Sequence, residues 1–106
     1  MEPEVKRNRL FAEYDRGVRG PGEVRVRFVE MLLDANDDNA ALLLCHDLPV
    51  WFREQFRKHL NECQTSGFGR RWACIGDSRT MKEIESDAKR HGEILERLAP
   101  EILQML

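Results

Sequence analysis

The chain has 106 residues, 42% of them hydrophobic and 34% charged, with a net charge of −2. That length predicts one domain over residues 1–106, the apolar share excludes a disordered chain because burial can offset chain entropy, and no apolar run approaches a membrane span. The start, MEPEVKRNRL, has no signal-peptide core, and Cys45, Cys63 and Cys74 form no CxxC pair; both features point to a reducing, cytoplasmic setting without a disulfide framework.

Residues 4–16 read as a first helix with Leu10, Phe11 and Tyr14 on one edge. The run Gly17-Val-Arg-Gly-Pro-Gly22 breaks it. Residues 22–35 carry two periods at once. Val24, Val26 and Phe28 alternate with arginines as in a strand, while Val24, Phe28, Met31, Leu32 and Ala35 share a helical face. The strong helix formers of EMLLDA and a length of about fourteen residues decide for a helix. Asp37 or Asp38 can cap a third helix, AALLLCHD. Being apolar nearly all round from Ala40 to Cys45, it is expected to be the most buried segment.

Pro49 opens a fourth helix, where its missing N–H is harmless. Phe52, Phe56, Leu60 and Cys63 recur at helical spacing, and Glu54 and Lys58 stand in i,i+4 register for an ion pair. Residues 65–69 read as a loop. Residues 70–76 could form one short strand, but they have no clear partner. Thr80-Met-Lys-Glu83 is a capping box. From Met81 a stripe of Ile84, Ala88, His91, Leu95, Leu98, Ile102 and Met105 follows, widened by Ile94 and Ala99. Pro100 is expected to kink or restart this last helix near Ala99. The predicted fold is an all-α bundle of four to five helices with a long C-terminal helix. The alternative is an α+β domain with a minimal strand pair near 24–28 and 70–75.

Charge is segregated along the chain. Residues 28–50 carry Glu30, Asp34, Asp37, Asp38 and Asp47 and no Lys or Arg, whereas residues 51–71 carry Arg53, Arg57, Lys58, Arg70 and Arg71 against Glu54 and Glu62. Acidic and basic segments facing each other within one fold account for this most simply.

The chemical motifs are sparse. His59 and Cys63 sit four apart on one helix, yet structural metal sites show paired CxxC or HxxxH ligands, so no metal is expected. Asp34, Asn36 and Asp38 mimic the start of a calcium loop, but Cys45 stands where its bidentate glutamate belongs. Gly17–Gly22 lacks the GK[ST] ending of a phosphate loop. Cys45 and His46 are adjacent, so on a helix their side chains diverge by about 100°. No cofactor is expected, and an enzyme ranks third among the readings.

Two surfaces remain. The apolar end Ile102, Leu103, Met105 and Leu106 suits a protein partner or a second copy. The alternative is nucleic acid, held by Arg53, Arg57, Lys58, Arg70, Arg71 and Trp72, where aromatics and bases interleave. The first predicts a small helical protein–protein interaction module, a regulator or adaptor able to self-associate; the second predicts a small nucleic-acid-binding regulator.

Overall fold

The computed structural model describes residues 2–68 and 80–106. Among them the chain forms five helices: α1 (Pro3–Asp15), α2 (Pro21–Asp34), α3 (Asp38–Leu43), α4 (Val50–Ser66) and α5 (Met81–Met105). No strand occurs among the described residues, so the fold is an all-α bundle. The strand considered near 24–28 lies inside α2, and its partner at 70–75 lies outside the described residues. No described helix is long and apolar enough to cross a membrane.

Local chemistry sets the helix limits. Pro3 and Pro21 stand in the first turns of α1 and α2, where no N–H is needed. The end of α1 is a Schellman turn: Val18 N–H donates to Glu13 O at 2.9 Å, Gly17 N–H to Tyr14 O at 2.9 Å, and Gly17 adopts φ +75°. Asp37 caps α3 by accepting from Ala40 N at 2.8 Å, and Thr80 caps α5 by accepting from Glu83 N at 3.2 Å. The acidic run Asp34–Asp38 is thus helix-end chemistry, with Asp38 also paired to Arg97 at 2.9 Å.

α2 packs against each of the other four helices. It buries Val24, Phe28, Val29 and Leu32, the helical face of the two periods it carries. Phe28 meets Phe11 of α1 at 6.3 Å and Phe52 and Phe56 of α4 at 5.0 and 5.5 Å, the α4 pairs edge-on. α5 closes the bundle with Ile84, Ala88, Leu95, Leu98, Ala99 and Ile102. It runs through Pro100 without interruption. The proline is exposed, so solvent can satisfy the carbonyl one turn earlier that loses its N–H partner.

The third helix departs from expectation. Ala41, Leu44 and Cys45 are buried, but Leu43 is 57% exposed. A short run that is apolar all round must turn one side outward when only one side has neighbours. The expected Glu54–Lys58 ion pair is not formed among the described residues.

Polar ties fix the helices relative to one another. Arg7 is buried, and its Nη1 donates to Leu44 O at 3.1 Å and His46 O at 2.8 Å. Its Nε and Nη2 are satisfied by Asn8 Oδ1 at 3.3 and 3.1 Å. The guanidinium thereby caps the carbonyls that follow α3, where Asp47 turns the chain with φ +57°. Across the α1–α2 turn runs an ion chain. Glu13 receives Arg9 at 3.8 Å and also Arg19, and Glu23 receives Arg19 at 2.6 Å and Arg27 at 3.2 Å.

Two outcomes follow from this packing. Phe56→Ala should destabilise the fold by about 3–5 kcal/mol, while Leu43→Asp should change stability by no more than about 0.5 kcal/mol, as measured by urea unfolding. The hydrogen bond from Arg19 holds the Glu13 carboxyl below its ordinary range. Its contribution is therefore complete above the unfolded-state pKa and fades as pH falls through the lower folded value. Glu13→Gln should be less stable than the parent at neutral pH, with the difference closing in acid; a pH-independent difference would contradict the pairing.

Candidate interaction surface

Two of the cysteines and one histidine are held in the core, while His46 is exposed. Cys45 is buried with its Sγ 3.7 Å from Ala41 O, and burial pushes its thiol up to about 12, so it holds its proton at neutral pH. Cys63 is also buried, with its Sγ 3.4 Å from His59 Nε2. His91 is fully buried in α5, and its Nε2 lies 2.7 Å from Glu30 Oε1 of α2. Arg90 binds the same oxygen at 3.1 Å and Asp87 at 2.8 Å. These contacts dock α5 on α2. Among the described residues no three metal-type ligands are gathered; Cys74 lies outside them.

The two sequence-derived surfaces, in contrast, meet at one described contact, between Arg57 and Leu106. α4 turns Phe52, Phe56, Leu60 and Cys63 into the core. At about 100° per residue, Val50, Arg53 and Arg57 then fall within about 60° of one another on one flank. Val50 is 60% exposed, Arg53 half-buried and Arg57 exposed. Arg57 also lines, with Lys58, Glu54 and Glu62, a shallow groove of about 460 Å³. On α5, Ile102 has no exposed surface. It belongs to the core, a correction to its expected place in an exposed apolar end. Leu103, Met105 and Leu106 are half-buried, packed against the rim of that core. Arg57 Nη2 donates to the carbonyl oxygen of Leu106, which fixes the α5 tip beside the Val50–Arg57 flank.

The aromatics of the nucleic-acid candidate are arranged differently. Phe52 and Phe56 are fully buried, and Trp51 stacks on Tyr14 at 3.9 Å. Neither ring of that stack has both faces free for a base. Arg70, Arg71 and Trp72 lie outside the described residues.

The arginines differ in their pairing. Arg9, Arg19, Arg27, Arg90 and Arg97 each pair with a carboxylate. Among the described residues, Arg53 and Arg57 have no carboxylate within ion-pair distance, and the buried Nε of Arg53 has no hydrogen-bond acceptor. Arg7 is not legible as a structural residue by its type, although its spacing to Leu10, Phe11 and Tyr14 places it on the buried edge of α1.

No family model, curated protein or solved structure matches the chain.

The division within the α5 tip is measurable. Ile102→Ala should cost about 2–5 kcal/mol because it empties a fully buried site. Leu103→Ala, at a half-buried rim position, should cost clearly less. Equal losses in thermal unfolding would place Leu103 in the core as well.

Proposed function

We propose that the protein is a helical protein-interaction module whose docking surface is the tip of α5 with the adjoining flank of α4. The observation that carries this reading is the contact of Arg57 with the main-chain oxygen of Leu106, which sets the α5 tip, with its half-buried Leu103 and Leu106, beside the basic flank of α4. The aliphatic side chains are half covered by their own fold and flanked by arginines that have no acidic partner among the described residues. Interfaces of this kind combine an apolar centre with a polar rim, and arginine is enriched in them. A regulator or adaptor acts through such a surface without chemistry of its own. The partner could be a second copy of the chain or another protein.

The nucleic-acid reading draws less support. Phosphate contacts need cations, which α4 supplies, but stacking needs accessible aromatic faces, and Phe52 and Phe56 are buried. Aliphatic side chains beside the arginines add nothing to phosphate recognition.

A photo-crosslinking amino acid placed at Leu103 tests the surface directly, with the same group at Lys89, exposed on the middle of α5, as control. The position 103 protein should give a discrete adduct in cells of the source organism, at twice the chain mass for self-association or at another defined mass. Position 89 should not give that adduct. Identical products from both positions, or none from position 103, would contradict the proposal.

A further inference from the structure

Granted the docking surface proposed above, the charges on its α4 side point to the occupant. Glu54, Lys58, Asn61, Glu62 and Thr65 fall within about 100° of one another around α4, with Arg57 at their border. All six are exposed and line the shallow groove. Glu54 and Lys58 stand in i,i+4 register, as do Lys58 and Glu62, the spacing at which opposite charges pair along a helix. On other helices such pairs do close: Arg9 with Glu13 on α1, and Glu23 with Arg27 on α2. On α4 neither pair is closed among the described residues, and Arg57 donates to a main-chain oxygen, that of Leu106. The groove therefore presents two acids and two bases that their own helix does not neutralise.

We infer that the occupant is a second copy of the chain, with α4 laid antiparallel against α4. The order of the charges is self-complementary under a two-fold axis. With the axis level with Leu60, Lys58 of one copy stands opposite Glu62 of the other, and the symmetry makes that contact twice. With the axis one turn earlier, level with Phe56, Glu54 meets Lys58 in the same way. The axis also keeps the Arg57 borders of both helices on one side of the pair. The two α5 tips, each tied to Arg57 through Leu106, then lie on that side together, and the half-buried Leu106 of each gains a cover. Exposed ion pairs are weak and screened by salt, so they set register and choice of partner, while covering the tips adds affinity. A partner of one sign fits this groove poorly. An acidic segment or a nucleic acid meets Glu54 and Glu62, and a basic segment meets Arg57 and Lys58.

The molar mass of the full chain in solution tests this. At low salt and about 1 mM chain, where even a weak specific contact is populated, the parent should have twice the chain mass. The dimer should weaken several-fold as salt is raised, because exposed pairs are screened. Lys58→Glu makes the face acidic, and Glu54→Lys with Glu62→Lys makes it basic. Each variant alone should be monomeric. An equimolar mixture of the two should recover twice the chain mass, since opposite charges then meet in either register. All three positions are exposed, and melting curves establish that each variant is folded. A dimer indifferent to salt, a dimer that either variant retains, or a mixture that stays monomeric would overturn the α4 pairing. A monomeric parent whose crosslinker at position 103 gives an adduct of another defined mass would overturn the second copy and leave the docking surface standing. A monomeric parent with no adduct from position 103 would overturn both.

Discussion

The bundle is organised around one ring. Phe28 of α2 stands against Phe11, Phe52 and Phe56, so three helices are referenced to a single side chain near the middle of the fold. Aromatic pairs in these tilted and edge-on arrangements contribute about 0.5–1.5 kcal/mol each beyond their burial. More important is the geometric consequence. With Phe52 and Phe56 turned inward, the period of α4 leaves Val50, Arg53 and Arg57 on one outward flank. The position of the proposed docking surface is therefore dictated by the packing of the core beneath it.

Polar contacts then remove the remaining freedom. Glu30 receives His91 and Arg90 from α5, which sets how α5 lies on α2. Arg7 gathers the Leu44 and His46 carbonyls and holds the connection between α3 and α4 against α1. Because α5 is fixed in this way and stays helical through Pro100, Ile102 reaches the core and the next turn reaches only its rim. Half-coverage of Leu103, Met105 and Leu106 is thus a result of where the helix ends relative to α4.

Much of the fold is legible in the residues. The five helices begin close to their proline and N-cap signals, although α3 ends at Leu43, four residues before the expected end of AALLLCHD, and the stripe from Ile84 to Leu98 is buried as its spacing requires. The α5 tip differs from expectation because the spacing, which carries Ile102 on the same face as Leu95 and Leu98, outweighs Pro100. In α5 the proline removes one hydrogen bond, and the helix is continuous across it. The exposure of Leu43 has no sequence signal, because a run apolar on all sides contains no period. The contacts of Arg7, Glu30 and His91 join residues 37 to 61 positions apart, and no local pattern encodes such pairings. The union of the two candidate surfaces is equally hidden, since it depends on Arg57 meeting Leu106 across 49 positions.

The border between the core and its half-covered rim falls within the last turns of α5, between Ile102 and Leu103, and the role proposed for the tip rests on it. Residue-resolved native-state hydrogen exchange measures that border. Amides from Leu95 to Ala99 and those of Glu101 and Ile102 should open only with the free energy of global unfolding, and those of residues 103–106 should exchange through local fraying at much lower free energy. If protection is instead lost from Ala99 onward, so that Ile102 exchanges like Leu106, the tip is not anchored in the core and no preformed docking surface exists there.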